Sequence, residues 1–227
     1  MDNNITINID FPNRNVSTIV KRLLQAGLEA ANPTLAMKKV LSVEGSTLRV
    51  GEKEYGLNTF DQIMCVGAGK ASGEMALALE HILGSRISGG YIAIKDIPEY
   101  RPKNIQLFGT SHPIPNTRSV QASKQILSLA QSLTQRDLLF VLISGGASSL
   151  IAAPASGLSL NDKKLTTSLL LRCGATIQDI NTVRKHLSAI KGGQLAASTS
   201  ATIITLCLLN TSPSQRDATQ SPMPSSA

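Results

Sequence analysis

Two short apolar runs that each end in a glycine-rich turn constrain this chain most. The first run ends at Val66 and enters the first turn, residues 67–73, and the second run, residues 138–143, enters the second turn, residues 144–149. The second run is continuously apolar, which is typical of a strand covered on both faces. A helical pattern follows each turn, so both runs predict strands of a parallel sheet whose turns lie at one edge.

The same alternation of strand and helix patterns continues along the chain. It predicts an α/β fold with a doubly wound, mostly parallel, Rossmann-like sheet and helices on both faces. Ligands of such sheets bind beyond the carboxyl ends of the strands. Further strands are predicted at residues 91–94, 105–108 and 201–206, and helices at 74–83, 117–133, 161–171 and 177–190.

A smaller helical and hairpin region precedes the sheet. Apolar residues recur at helical spacing over residues 16–31, which predicts an amphipathic helix whose apolar face packs against the protein. Asn32 and Pro33 are typical of an N-cap and a first-turn proline, so a second helix is predicted through Val40. Gly51 separates two short strand patterns, which predicts a hairpin.

Length and charge narrow the classes of function. A chain of 227 residues with 42% hydrophobic content can form one main domain. The net charge is +7, which is typical of proteins that bind nucleic acid or small anions. Aromatic residues make up only 3% and the basic residues form no dense run, which disfavours nucleic acid. We therefore expect small anionic ligands.

Location is predicted from the absence of membrane and export signals. No stretch of about 18 apolar residues occurs, and the polar start has neither a signal peptide nor a transit pattern. The three cysteines, Cys65, Cys173 and Cys207, lack the spacing of metal ligands and are interpreted as reduced core thiols. We expect a cytoplasmic protein with no membrane segment and no protein-bound metal cluster.

The first turn combines a backbone suited to anions with a mobile cation. Gly67 and Gly69 let the backbone approach a ligand closely, and the helix that follows presents unpaired N–H groups. Lys70 adds a positive charge at the same place. An anion site and a tight turn whose glycines only permit close packing both fit this pattern.

The spacing in the first turn distinguishes two known phosphate-binding patterns. A P-loop needs a glycine five residues before Gly69, but Met64 stands there, which excludes that pattern. Gly67, Gly69 and Gly73 form a loosened dinucleotide-binding pattern, and Asp96 follows the next strand. A nicotinamide site therefore stays open as an alternative.

The second turn offers hydroxyls as well as free backbone groups. Gly145 and Gly146 expose backbone N–H groups that can form an anion-binding concavity, and Ser144 and Ser148 supply hydroxyls. The G-x-S-x-G pattern of a nucleophile elbow is absent and the chain has only three histidines, which disfavours a hydrolase. Two such turns on one sheet predict an anionic ligand between them.

A rigid loop between the two turns carries a histidine. His112 and Asn116 frame the segment His-Pro-Ile-Pro-Asn, whose two prolines restrict the backbone. Both polar side chains are candidates for contact with the ligand. A hydrogen bond from His112 to the neighbouring backbone is the alternative.

A basic segment near the end of the chain supplies two further cations. Arg184 and Lys191 lie seven residues apart in a predicted helix, which places them on roughly one face, and Gly192 and Gly193 indicate where the helix stops. Such a pair would suit a phosphate or carboxylate group. A solvated basic face, or cations at the helix C-terminus, would explain the pattern equally well.

Read in order, these four stretches resemble the glycerate 2-kinase family of the two-domain type. The resemblance covers residues 15–206, which correspond to the first, MOFRL-associated domain, and leaves residues 1–14 as an N-terminal tail. It implies transfer of a phosphoryl group from ATP, with Mg²⁺, to the 2-hydroxyl of D-glycerate. It also implies that Lys70 is the catalytic lysine, and that Gly67, Gly69 and the second turn lie near phosphate or glycerate oxygens.

The end of the chain departs from the family pattern. After residue 206 the family continues through an aspartate-containing turn into a second, smaller domain, whereas residues 207–227 are rich in Ser and Pro. We expect a truncated product with a disordered tail and low or absent turnover. A non-catalytic remnant that binds nucleotides or anions and an NAD(P)H-dependent hydroxypyruvate reductase are the alternatives, and a homodimer is a possible assembly.

Overall fold

A computed structural model describes residues 7–9, 11–12 and 14–208. The first part consists of two helices and a three-stranded antiparallel sheet in the order β1-β2-β3. The Asn32 side chain caps α2 by accepting a hydrogen bond from the backbone N–H of Leu35 at 3.0 Å, as the sequence predicts. The elements are α1 (Arg14–Ala30), α2 (Pro33–Val40), β1 (Leu41–Glu44), β2 (Thr47–Val50) and β3 (Lys53–Gly56).

β1 is the strand that sequence reasoning misses in this part. It follows α2 without an intervening turn residue, so no sequence signal separates it from the helix. Its partner β2 supplies the pairing that makes it a strand, with Leu41 opposite Val50. Tertiary pairing therefore decides its conformation.

The second part is a five-stranded parallel sheet with the order β6-β5-β4-β7-β8. Numbered within the sheet alone, this is the order 3-2-1-4-5 of doubly wound folds, which confirms the predicted fold class. The elements are β4 (Ile63–Ala68), α3 (Ser72–Leu83), β5 (Gly89–Ile94), β6 (Ile105–Gly109), α4 (Thr117–Ser132), β7 (Leu138–Ser144), α5 (Ala147–Leu150), α6 (Leu160–Arg172), α7 (Ile177–His186), α8 (Gln194–Ala197) and β8 (Thr202–Leu208).

Helices cover both faces of this sheet, so each central strand contributes to two hydrophobic cores. Cys65 and Phe140 point to the face that α3 covers with Leu79. Val66 points to the opposite face, which α4 covers with Ile126. Alternate residues of a strand face opposite sides, which explains why the runs at β4 and β7 are apolar throughout.

The order of the strands determines where a ligand can bind. The chain moves outward from β4 to β5 and β6 on one side, and through β7 to β8 on the other. Ligands of open parallel sheets bind where the order reverses, beyond the carboxyl ends of the strands. β4 and β7 are paired through Ala68 and Ile143, so the first and second turns leave the sheet side by side.

α7 is shorter than the sequence predicts. It ends at His186, whereas helical periodicity extended it to Ile190. The backbone beyond it pairs instead with the segment before α6: the N–H of Ala189 donates to the carbonyl of Ala153, and the N–H of Ala155 donates to the carbonyl of Leu187, both at 3.1 Å. These long-range hydrogen bonds replace the last turn of the predicted helix.

The apolar face of α1 is not packed as the sequence predicts. Its large side chains are between 41% and 68% exposed, and Ser17 is the buried residue of this helix. Periodicity correctly identifies the apolar face, of which Val20 is half-buried and five large side chains stay exposed among the described residues. The exposed side chains are Val16, Ile19, Leu23, Leu24 and Leu28.

The last strand continues past its predicted end. β8 includes Cys207 and Leu208, and residues 209–227 of the predicted tail lie outside the described residues, as do residues 1–6, 10 and 13. Within the described ranges, every helix is too short or too polar to cross a membrane.

Candidate functional site

Hydrogen bonds join the first turn directly to the second. The backbone N–H of Lys70 donates to the carbonyl of Gly145 at 2.8 Å, and that of Ala71 donates to the hydroxyl of Ser144 at 3.0 Å. The hydroxyls of Ser72 and Ser144 lie 2.9 Å apart. The structure therefore brings Lys70 and the second turn together at the carboxyl ends of β4 and β7.

Close packing explains the glycines of the first turn. A Cβ atom at Gly67 would collide with the backbone carbonyl of Leu142 in the neighbouring strand. One at Gly69, whose φ is +146°, would collide with the Ser144 hydroxyl. Of the two interpretations that the sequence leaves open, the geometry supports packing for both glycines.

Four consecutive backbone N–H groups of the first turn, those of residues 69–72, are already occupied. The N–H of Gly69 donates to the carbonyl of Ala93 at 3.1 Å, and that of Ser72 donates to the carbonyl of Gly69 at 3.3 Å. Together with the N–H groups of Lys70 and Ala71, all four donors have protein partners. These four N–H groups therefore cannot form the expected cradle around an anion, and the turn presents the exposed side chain of Lys70 to a ligand.

Gly146 is the point where three predicted segments meet. Its backbone is left-handed, with φ of +87°. A Cβ atom there would lie 2.9 Å from Cδ2 of His112 and 3.5 Å from Cγ of Lys70. The His112 ring and the Lys70 side chain therefore both lie close to the backbone of the second turn.

The second turn retains unused backbone donors. Ser149 and Leu150 donate their N–H groups to the carbonyl of Gly146. Within residues 14–208, the N–H groups of Gly146, Ala147 and Ser148 have no hydrogen-bond partner, as expected for the start of a helix. The second turn can therefore offer three consecutive N–H groups to an anion.

The proline loop, residues 110–116, has separate roles at its two ends. At one end, the side-chain oxygen of Asn116 accepts a hydrogen bond from the N–H of Ser119, and the Ser119 hydroxyl oxygen accepts one from the N–H of Asn116, both at 3.2 Å. This capping box starts α4 and uses the Asn116 carbonyl, so contact of Asn116 with a ligand stays a prediction. At the other end, the His112 ring has no hydrogen bond within the described residues.

Arg184 and Lys191 converge on Ser148, although not from one helical face. Lys191 lies beyond the end of α7, so the spacing argument for the pair is wrong. Arg184 Nη2 donates to the Ser148 hydroxyl at 2.6 Å, and Lys191 Nζ donates to the Ser148 carbonyl at 3.1 Å and the Ile151 carbonyl at 3.0 Å. Both cations therefore attach the basic segment to the second turn.

Lys163 is a third cation at this place that sequence reasoning missed. It lies in α6, and its Nζ donates to the carbonyl of Ala153 at 3.0 Å. Burial and the charge of Arg184 lower the pKa of Lys163 to about 8. Burial and the charges of Lys163 and Arg184 lower the pKa of Lys191 to about 7. The sequence holds no spacing signal that links Lys163 to residues in another helix.

Two cavities lie on either side of the proline loop. The cationic cavity, about 590 Å³, lies between this loop, the second turn, α6 and α7. The polar cavity, about 620 Å³, is lined by His112 and Asn116 together with Lys95, Asp96 and Arg118. Residues 113–115 line the cationic cavity, so the loop separates the two spaces.

The described residues include three cysteine thiols but no cluster of metal ligands. Within the described ranges, no three His, Cys, Asp or Glu side chains lie close enough together to hold a metal ion. Cys65 is fully buried in β4, and burial raises the pKa of its thiol. A buried, protonated thiol is unreactive, so we assign Cys65 to the core. Cys173 and Cys207 are exposed, so the prediction that they are core thiols is wrong.

Comparison with known proteins identifies the family to which this chain belongs. The family described as "Domain of unknown function (DUF4147)" matches residues 19–210. This chain is a member of that family. The chain also resembles a glycerate 2-kinase from Pyrococcus horikoshii, with 38% identity over 187 residues that cover 82% of this chain and 42% of the relative.

The names of two further relatives of this chain indicate activities within the family. A putative hydroxypyruvate reductase from Agrobacterium vitis is 36% identical, with 84% of this chain and 40% of the relative covered. A crystal structure of glycerate kinase from Thermotoga maritima matches with a TM-score of 0.73 and 30% identity, covering 86% of this chain and 44% of that one. These matches confirm the resemblance read from the motifs, and the chain spans about two fifths of the length of the relatives.

Proposed function

We propose that this chain carries the phosphate-holding part of a D-glycerate 2-kinase site. The observation that carries the proposal is the direct attachment of the Lys70 turn to the second turn, with Lys70 and His112 both beside Gly146. Relatives named glycerate 2-kinase and glycerate kinase, which align over more than four fifths of this chain, support the substrate.

The proposed reaction moves the terminal phosphoryl group of ATP. The bond between the terminal phosphorus and its bridging oxygen breaks, a bond to the 2-hydroxyl oxygen of D-glycerate forms, and the hydroxyl proton is released. Negative charge on the transferred group is the main obstacle, and fixed cations and N–H donors stabilise it. We assign this role to Lys70, with the free N–H groups of the second turn beside it.

Mg²⁺ belongs to the proposal as a partner of the nucleotide. The described residues offer no cluster of three metal ligands. Magnesium in kinases is usually held by substrate phosphates and water with only one or two carboxylates, so such a cluster is not required. The ion would neutralise phosphate charge when bound, and we assign it no protein ligand.

Hydride transfer to hydroxypyruvate is the second candidate, because one group of relatives is named after it. It would require the first turn to bind the pyrophosphate of a nicotinamide cofactor through free N–H groups. The N–H groups of Gly69, Lys70, Ala71 and Ser72 already donate within the protein. This geometry favours phosphoryl transfer over reduction.

The test is an assay of the complete 227-residue chain with ATP, Mg²⁺ and D-glycerate, read by phosphorus NMR. In keeping with the low turnover expected of this chain, we expect slow formation of 2-phosphoglycerate by the unmodified chain and its loss in Lys70→Met. Lys124→Met, which removes an exposed lysine of α4, is the matched control and should leave the rate unchanged. Absence of product, or equal rates for Lys70→Met and the unmodified chain, would overturn the kinase proposal.

A parallel measurement separates the alternatives. Binding of ATP without product would favour a nucleotide-binding remnant, and loss of NADH absorbance with hydroxypyruvate would favour the reductase. A homodimer and a cytoplasmic location stay predictions, which sedimentation and cell fractionation would test.

A further inference from the structure

The cationic cavity gathers positive charge that the protein does not neutralise. Lys163, Arg184 and Lys191 donate to carbonyl and hydroxyl oxygens, and within residues 14–208 none of the three forms an ion pair with a carboxylate. Lys164 also lines the cavity, and its described lining holds no Asp or Glu. Clustered cations that repel one another favour a ligand with several negative charges over one with a single charge.

The lining of the same cavity also includes an apolar part, which we call its apolar wall. Pro113, Ile114, Leu171 and Leu187 line it, and Ile114 and Leu171 are each 64% exposed. Exposed apolar side chains beside a charged wall suit a ligand that has a flat apolar part and an anionic part. A three-carbon hydroxy acid has no apolar surface of this kind, whereas a purine base does.

The volume of the cavity also favours a nucleotide over a three-carbon acid. A cavity of about 590 Å³ falls within the range of roughly 300–1,000 Å³ that is typical of sites for nucleotide-sized ligands. A three-carbon acid would leave most of that space, and the apolar wall, without contacts.

We propose that the cationic cavity binds the nucleoside triphosphate, with its polyphosphate on Lys163, Arg184 and Lys191 and its base against Ile114 and Leu171. This inference rests on the proposed kinase function and assigns its nucleotide to one cavity. It leaves the polar cavity on the other side of the proline loop for the acid.

The second turn connects the proposed phosphate site to Lys70. Arg184 and Lys191 both contact Ser148, and Lys70 lies beside Gly146. Two residues of extended chain span at most about 7 Å. A polyphosphate bound at Ser148 can therefore place its terminal phosphate near Lys70.

The experiment measures binding of ATP, inorganic triphosphate and D-glycerate to the complete chain by calorimetry. We expect Lys163→Met and Lys191→Met each to weaken ATP and triphosphate binding by at least about tenfold, since each removes a charge-assisted contact. Lys185→Met, an exposed lysine of α7 outside the cavity lining, is the matched control and should bind ATP normally. Lys163→Arg should restore most of the affinity, which excludes simple misfolding.

A second pair of variants tests the position of the base. Leu171→Ser and Ile114→Ser change exposed side chains, so the fold should tolerate them. We expect both to weaken ATP binding severalfold and to leave triphosphate binding unchanged. Equal losses for the two ligands would contradict contact between the base and this wall.

The outcomes distinguish this inference from the kinase proposal. Unchanged ATP affinity in both lysine variants, or loss of D-glycerate binding in place of ATP binding, would overturn the nucleotide assignment and leave the kinase proposal standing. ATP binding that depends on Lys163, without any phosphorylated product, would overturn the kinase proposal and leave the nucleotide assignment standing.

Discussion

Single residues determine whether the two turns can meet, and Gly146 is the most sensitive of them. We expect Gly146→Ala to lower the free energy of unfolding by about 1–3 kcal/mol, because its φ of +87° is unfavourable for alanine. The new Cβ would also press on the His112 ring. Gly145→Ala is the matched control, since a Cβ there meets open space. Urea unfolding measures both, and similar values for the two variants would contradict this account.

The titration of Lys191 offers a second prediction at this scale. Its pKa is lowered to about 7, so at pH 8 the free protein holds this amine mostly neutral, and a bound polyphosphate should draw a proton onto it. Lys163, Lys164 and Arg184 share the cavity, and no carboxylate among the described residues lines it. Calorimetry at pH 8 in two buffers of different ionisation enthalpy should show proton uptake on ATP binding. The uptake should fall in Lys191→Met, and an unchanged value would refute the assignment.

The lowered pKa of Lys191 also predicts the direction in which folding stability changes with pH. Between pH 7 and the ordinary lysine pKa of 10.5, the unfolded chain binds the proton that folded Lys191 has released. Stability therefore rises with pH across this window, and Lys191→Met should flatten that rise. Thermal unfolding between pH 7 and pH 9 measures the difference, and parallel pH profiles for the variant and the unmodified chain would contradict it.

Residue-level prediction from sequence succeeded where the signal was local. The glycines beside Lys70 and Ser144 could be identified because they end apolar strands. Their roles could not be identified, since the acceptors that occupy the N–H groups of Gly69 and Lys70 come from β5 and the second turn. Lys163 was missed for the same reason, because its neighbours come from other elements.

At the scale of elements, two helices with similar apolar faces should respond differently to substitution. Leu79 of α3 is fully buried under the sheet, so we expect Leu79→Ala to cost about 2–5 kcal/mol. Leu23 of α1 is 68% exposed, so Leu23→Gln should change stability by no more than about 0.5 kcal/mol. Chemical unfolding of both variants measures this contrast. A large loss for Leu23→Gln would show that the apolar face of α1 is covered.

The contrast explains what periodicity can predict about an element. Hydrophobic spacing identified α1 and its apolar face, and a helical pattern after the first turn identified α3, because both signals follow from helix geometry alone. It could not tell which face meets a partner. α7 was overextended for a related reason, since Ala189 looks helical in sequence but pairs with Ala153.

At the scale of the whole molecule, a mostly parallel sheet could be predicted because its central strands are apolar on both faces and alternate with helices. The order of its strands depends on pairing between strands far apart in sequence, such as β4 with β7. That pairing is what places the first turn, the second turn and the proline loop at one edge. The site therefore follows from topology more than from any single motif.

The same topology predicts uneven stability across the molecule. α6 has no buried residue among the described ones and α7 has only Ile180, so few apolar contacts hold this pair of helices to the sheet. The polar contacts of Lys163 and Lys191 supply much of the attachment. Amide hydrogens in α6 and α7 should thus exchange faster than those of β7, whose residues lie in both cores.

ATP should change this pattern if it binds in the cationic cavity. A polyphosphate that contacts Lys163 in α6 and Arg184 in α7 holds both helices against the second turn, so their exchange should slow while that of β7 stays unchanged. Hydrogen exchange read by mass spectrometry, with and without ATP, measures the effect, and Lys163→Met should abolish it. Protection confined to the loops around the polar cavity would instead place the nucleotide on the other side of the proline loop.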